Sequence, residues 1–264
     1  MKEESIGWRE QLFFFDIDGT LLDEEKRLPQ STKQAIAALK EKGHEVAIAT
    51  GRAPYFFKEL REELEIDSYI CFNGQYVVFK GELIYENTLD MDAFTEMERY
   101  ASSQEHPLVF MGAKTYTSNR EDHPYVIKSI KTLKIDLPQY NPDLYNEQPL
   151  HQALLFCEEG EEKDYETRFP ALRFVRWHPL SVDVLPREGS KANGIAKFIQ
   201  RANIDLANVY AFGDQLNDLE MLSFVEHGVA MGNAPEKVKA QARYVTKPVH
   251  ENGIDYGLKM VGLL

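Results

Sequence analysis

Leu12-Phe13-Phe14-Phe15-Asp16-Ile17-Asp18-Gly19-Thr20-Leu21 joins an unbroken apolar run to two carboxylates that flank one apolar residue, then to glycine and threonine. A short continuous apolar run bounded by a turn signal reads as a strand buried on both faces, the kind found in parallel sheets. Side chains alternate along an extended backbone, so Asp16 and Asp18 project to the same side and repel each other unless a cation or a proton separates them. The junction delivers paired acids to the mouth of a pocket, which is the arrangement of a metal-assisted site.

Around this strand the first third of the chain alternates strand and helix. Pro29 to Lys42 reads as a helix, with Ile36 and Leu39 on one face, proline at its start and Gly43 as its stop. Glu45 to Ala49 is the next short strand, ending at Thr50-Gly51-Arg52; Pro54 opens a helix through Leu64; Tyr69 to Phe72 is a third strand, ending at Asn73-Gly74. The order β-α-β-α-β predicts a parallel sheet with right-handed crossovers, whose strands all end at the edge where such sheets bind ligands. After Gly74 the texture changes. A hairpin, Tyr76 to Phe79 and Leu83 to Tyr85 about Lys80-Gly81, leads into mixed helices and antiparallel strands that run to about Pro186. From Gly189 the first rhythm returns, with a helix over Lys191 to Ala202, a strand over Val209 to Phe212 and a helix over Asp218 to Phe224. Further strands follow at Gly228 to Met231 and Tyr244 to Thr246. The expected organisation is an α/β core of residues 1–85 and 187–264, interrupted by an inserted α+β domain over 86–186.

A chain of 264 residues, 43% hydrophobic, can bury a full core without covalent staples. Cys71 and Cys157 sit in separate apolar surroundings and are expected as reduced, packed thiols of a reducing cytoplasm. Met1 to Glu10 mixes acids and bases without an apolar leader core, and no stretch approaches the roughly 20 apolar residues of a membrane span. The chain reads as soluble and cytoplasmic. A formal charge of −13 argues against nucleic acid as a partner. An anionic substrate then needs a local cation to receive it.

The polar strand ends carry the chemistry. Asp16 and Asp18 follow the first strand, Thr50-Gly51 the second, Asn73-Gly74 the third, and Gly213-Asp214-Gln215-Leu216-Asn217-Asp218 the strand after the insertion, while Lys191 opens a helix nearby. Several carboxylates, one ammonium and small hydroxyl or glycine donors make the set that phosphoryl transfer requires. Asp16 fits the nucleophile, and Asp18 the acid that protonates a leaving alcohol and later activates water. Asp214 completes the metal shell, and an oxygen-rich set without histidine or thiolate predicts Mg²⁺. Lys191 offsets negative charge, while Thr50 and the Ile17 and Gly51 amides hold phosphoryl oxygens. Asn217-Asp218 also fits the cap of the following helix.

Asp16-Ile17-Asp18-Gly19-Thr20, Thr50-Gly51-Arg52, Ser190-Lys191 and Gly213-Asp214-Gln215-Leu216-Asn217-Asp218 resemble, in order and content, the four motifs of the haloacid dehalogenase superfamily. The long insertion between the second and third motifs is similar to that of the Cof-type sugar-phosphatase branch with an α+β cap. The likeness extends to Asn73-Gly74 and Met231-Gly232-Asn233-Ala234. It implies a Rossmann-like core, an aspartyl-phosphate on Asp16, and Mg²⁺ held by Asp16, the Asp18 carbonyl and Asp214. It further implies phosphate contacts from Thr50, Gly51, Lys191 and Asn217, with Asp218 supporting the metal or Lys191 from behind. Ala192 stands where the family often has glycine, and Glu251-Asn252-Gly253 replaces a common Glu-Asp-Gly.

The expected activity is hydrolysis of small phosphorylated metabolites beneath a closing cap. Two rivals share the residues: a phosphomutase with the same nucleophile, and a non-enzymatic phospho-acceptor module, against which Asp18 argues because an acid that speeds hydrolysis shortens a signal.

Overall fold

The computed structural model describes residues 10–264; of the stretch read as lacking an apolar leader core, residues 1–9 lie outside the described residues. The chain forms two compact units, one of the chain up to Ile48 together with Ile199–Leu264, the other of Ala49–Phe198.

In the first unit the strand Leu12–Phe15 lies between Val209–Gly213 and Glu45–Ala49, all parallel, with Phe15 opposite both Phe212 and Ile48. His227–Ala230 and Tyr244–Val245 extend the sheet beyond Val209–Gly213, again in parallel. The central position explains the unbroken apolar run: Leu12, Phe13, Phe14 and Phe15 are all fully buried, so neither face tolerates a polar residue. Alternation puts Phe13 and Phe15 on one face. There Phe13 stacks on Tyr210 at 4.9 Å and Tyr210 on His227 at 4.2 Å, a row of rings across neighbouring strands, while Phe15 stacks on Phe212 at 5.0 Å. The helix Gln30–Glu41 turns Thr32, Ala35, Ile36 and Leu39 inward. It starts after Pro29, whose fixed φ suits a helix entry, and stops before Gly43, whose φ of +81° costs glycine nothing.

The expected helix over Asp218 to Phe224 is present as the short α-helix Leu219–Phe224 with Asp218 at its N-cap, entered through a 3₁₀ turn, Leu216–Asp218. The Asp218 carboxylate folds back onto the preceding amides, which tightens the entry. Likewise the helix expected over Pro54 to Leu64 begins as a 3₁₀ turn, Pro54–Phe57, before Lys58–Leu64.

In the second unit Ser68–Cys71, Tyr76–Phe79 and Glu82–Glu86 pair antiparallel in sequence order. A separate six-stranded sheet runs Leu172–His178, Ser181–Pro186, Gln152–Leu155, Leu108–Met111, Tyr116–Ser118, Gln139–Tyr140. One face of it buries Phe110, Ala153, Leu155, Val182 and Val184 against Phe94, Met97 and Ala101 of the helix Met91–Ser103 and Tyr165 of the helix Glu162–Arg168. Alternation then leaves Met111, Gln152 and Asp183 for the opposite face. The helix Pro124–Thr132 and the short strand Gln139–Tyr140 carry no clear signal in sequence. The helix is capped by His123, whose Nδ1 accepts from the Tyr125 amide, an unusual cap. The strand is two residues long and pairs in parallel with Tyr116–Ser118.

Cys71 and Cys157 are both buried free thiols. Among the described residues no helix is long and apolar enough to cross a membrane.

The stacked pair Phe15 and Phe212 anchors the strands that carry the acids, and truncation at a fully buried phenylalanine leaves a cavity. Phe212→Ala is expected to cost about 3–5 kcal/mol in denaturant unfolding. A loss under about 1 kcal/mol, within the range of ordinary surface substitutions, would contradict this placement of the sheet.

Candidate active site

The backbone that leaves the central strand closes at once into a tight loop. The Asp16 amide still donates to the Phe212 carbonyl at 2.9 Å, as in the ladder. Leu21 N–H then returns to the Asp16 carbonyl at 3.2 Å, Leu22 N–H to the Ile17 carbonyl at 2.8 Å, and Gly19 N–H to the Leu22 carbonyl at 2.9 Å. Gly19 sits at φ +83°, and a Cβ there would come within 2.2 Å of Asp214 Oδ2. Only glycine lets the loop lie directly on that carboxylate.

Asp214 follows the strand Val209–Gly213 and is held from several directions. Thr20 Oγ1 donates to its Oδ1 at 3.1 Å, and Gln215 Nε2 and Asn233 Nδ2 donate to its Oδ2 at 2.9 and 3.1 Å. Asn233 also donates to the Gly19 carbonyl at 2.9 Å and accepts from the Val249 amide at 3.0 Å, so one side chain ties the loop, the acid and a third segment together. Asp218 Oδ2 accepts from the Asp214 and Gln215 amides, both at 2.9 Å.

The result is a trio: Asp16, Asp214 and Asp218 are buried, and one carboxylate oxygen from each lies within 4.8 Å of the others. Burial first, then the charges of Asp16 and Asp218, push the Asp214 carboxyl up to about 8, against the opposing hydrogen bonds from Gln215 and Thr20. Charges crowded in a dry site raise one another's proton affinity unless a cation takes the proton's place. The donors are oxygen only, without histidine or thiolate, and fit a hard dication.

Asp18 stands apart from the trio: its side chain is partly exposed and bonds the Lys26 ammonium. Ile17 is fully buried between the two acids. Asn217 lies in the 3₁₀ turn Leu216–Asp218, partly exposed beside fully buried Asp218.

The remaining residues picked out in sequence belong to the second unit. Thr50 is buried; its amide donates to the Ile70 carbonyl at 2.9 Å, its carbonyl accepts from the Asn73 amide at 3.0 Å, and its Oγ1 accepts from the Arg52 amide at 3.1 Å. Gly51 follows with the Asn73 carboxamide against it, 3.0 Å from where a Cβ would stand. Lys191 opens the helix Lys191–Ala202 and is fully buried, a rare place for an ammonium unless it serves a site. Arg176 is engaged by both Glu162 oxygens and by the carbonyls of Glu158 and Pro179.

Thr20, Gln215 and Asn233 escaped the sequence reading as site residues. Thr20 and Gln215 lie inside motifs already singled out, and Asn233 in the stretch Met231-Gly232-Asn233-Ala234; what hid them is that they act on Asp214 rather than by any recognisable spacing. Gln152 and Asp183 left a fainter trace, as polar residues inside otherwise apolar strands.

Residues 13–258 match the model of the haloacid dehalogenase-like hydrolase family. The chain is 48% identical over 254 residues to a Bacillus subtilis (strain 168) protein named "Putative phosphatase YkrA", covering 96% of this chain and 98% of that one. It is 29% identical over 246 residues, 92% of each chain, to the 5-amino-6-(5-phospho-D-ribitylamino)uracil phosphatase YcsE of the same organism. Among solved structures, that of the HAD subclass IIB sugar phosphatase BT4131 superposes with a TM-score of 0.88 at 33% identity, covering 96% of this chain and all of the other. With the motifs in order along the chain and acids from two of them gathered in the first unit, the protein is an enzyme of the haloacid dehalogenase-like hydrolase family, in its Cof-type branch.

Proposed function

We propose that this enzyme is a Mg²⁺-dependent phosphatase of small phosphorylated metabolites, acting in the cytoplasm through an aspartyl-phosphate on Asp16. The observation that carries this reading is the buried trio Asp16, Asp214 and Asp218. Three acids held this close in a dry site serve no purpose in packing and suit an ion that receives an anionic ester. Asp16, Asp214 and the backbone carbonyl of Asp18 would hold the Mg²⁺, and Asp218 fixes Asp214 from its backbone side. When bound, the ion neutralises phosphoryl oxygens and the charge of the nucleophile.

The other roles belong to the chain itself. An Asp16 carboxylate oxygen attacks phosphorus, and the ester oxygen departs with a proton from Asp18; the Asp18 carboxylate then takes a proton from the water that attacks the phosphoenzyme. Lys26, bonded to Asp18, keeps this carboxylate oriented. Thr50, the amides of Ile17 and Gly51, Lys191 and Asn217 receive the phosphoryl oxygens. Residues 86–186 form the cap, which excludes bulk water and selects the leaving group. The names of the relatives, a sugar phosphatase and a phosphatase of a phosphoribityl compound, support small polyol and sugar esters as the class to test first. A phosphomutase would return the phosphoryl group to the sugar, so free inorganic phosphate from a hexose phosphate distinguishes the two. A phospho-acceptor module would keep its phosphoryl group for minutes.

With phosphate release as the readout, Asp16→Asn should abolish turnover while its circular dichroism and melting stay near wild type, and Asp18→Asn should accumulate a slowly hydrolysed phosphoenzyme. Near-normal turnover by Asp16→Asn would overturn the mechanism. The raised Asp214 carboxyl gives a second expectation. Mg²⁺ competes with its proton, so uptake by the metal-free protein at pH 7 should release a proton, and affinity should climb between pH 6 and 8 by up to about tenfold per unit before levelling off. Calorimetry in buffers of different ionisation enthalpy measures both. Binding that is flat across this window would remove the acids from the metal site.

A further inference from the structure

The turn Asn73-Gly74-Gln75 touches both phosphate-binding pieces of the second unit. On one side the Asn73 amide donates to the Thr50 carbonyl at 3.0 Å and its carboxamide lies along Gly51. On the other, a Cβ at Gly74 would fall 1.9 Å from the Ser190 carbonyl, and one at Gly194 would fall 2.9 Å from the Gly74 Cα, so the turn is pressed against the first turn of the Lys191 helix. Gly74 stands at φ +101° and Asn73 at φ +52°, conformations that glycine and asparagine adopt more readily than other residues. Whatever fixes the Asn73 side chain fixes the spacing between Thr50-Gly51 and Lys191.

What fixes it comes from the six-stranded sheet. Asn73 Nδ2 donates to Asp183 Oδ2 at 2.8 Å and to Gln152 Oε1 at 3.1 Å, and Gln152 Nε2 donates to Asp183 Oδ1 at 3.0 Å. All three side chains are nearly or fully buried. Asp183 therefore receives two donors on its two oxygens, a demand that an acceptor-only group meets and a carboxamide does not without turning Asn73 or Gln152. Burial raises the Asp183 carboxyl, while Asn73 and the Lys191 charge favour its ionised form. A carboxylate kept in a dry interior, two residues from where Leu185 and Pro186 lead toward Lys191, is costly unless it does something.

We propose that Asp183 is a positioning residue for phosphate binding: through Asn73 it locks the Thr50-Gly51 loop and the Lys191 helix in one arrangement. The assignment rests on the phosphatase reading above. It makes the six-stranded sheet part of the anion site's support, beyond any contact it makes with the leaving group.

Asp183→Asn and Gln152→Met, both close in size to the residues they replace, test this. Measured with Mg²⁺ on one ester well below the melting temperature, Asp183→Asn should raise KM about tenfold and weaken inhibition by inorganic phosphate by a similar factor, with a smaller fall in kcat. Gln152→Met should move both in the same direction, by less. A packing role alone would lower the melting temperature and leave KM and phosphate inhibition per folded molecule unchanged; values within twofold of wild type in the folded variants overturn the assignment. Should Asp183→Asn fail to fold, Gln152→Met decides on the same criterion. Wild-type protein that releases no phosphate from any ester sinks the phosphatase reading and this one with it, whereas an active wild type with an unperturbed variant sinks this one alone.

Discussion

Mutual repulsion among buried acids governs the first unit. Asp16, Asp214 and Asp218 lie in a site too dry to screen them, and the surrounding structure is arranged to keep them there. Glycine at 19 admits the loop to the face of Asp214, Asn233 ties that loop to the same carboxylate, and Asp218 spends one oxygen on two backbone amides. Hydrogen bonds from Thr20 and Gln215 soften the penalty on Asp214 but leave its proton affinity far above that of an ordinary aspartate. A fold stabilised for its own sake would replace such a cluster with apolar side chains, since buried charge seldom adds net stability. Such a cluster costs least when a cation or a proton separates the charges.

The same logic shows why parts of this protein were legible from its residues and others were not. The apolar run Leu12 to Phe15 reads correctly because a central parallel strand is buried on both faces, and nothing but continuous hydrophobicity satisfies that position. The bounds of the helix Lys191–Ala202 and the stop at Gly43 follow from local rules of periodicity and capping. Around Leu216–Asp218, Pro54–Phe57 and Pro124–Thr132 the outcome hangs on a side chain returning to the backbone or on an unusual cap, which no windowed pattern carries. Asp16 announced itself because a carboxylate at the end of a fully buried strand is a costly placement, whereas its neighbour Asp18 turns out to pair with Lys26. Asn233 did not, because an asparagine becomes informative only once its partners across the chain are known. Asp183 fell between: a carboxylate in the apolar strand Ser181–Pro186 is a visible anomaly, but its alternation with Val182 and Val184 passes for the ordinary pattern of a half-exposed strand.

That resemblance conceals a physical difference. In a half-exposed strand the polar residues face water and cost nothing, whereas Asp183 is nearly inaccessible and must find its hydrogen bonds inside the protein. It finds them in Gln152 on the neighbouring strand and Asn73 on the turn beside Thr50 and Gly51. A polar network satisfied only in one arrangement of its members specifies that arrangement more sharply than apolar packing, which tolerates repacking. The two units thus use buried charge in opposite ways. In the first, acids are crowded together; in the second, a single acid accepts from fixed side-chain donors, and its hydrogen bonds are met within the protein. On the reading proposed above, hydrogen bonds satisfied in this way would hold Thr50, Gly51 and the Lys191 helix in place before an anion arrives, which lowers the reorganisation cost of binding.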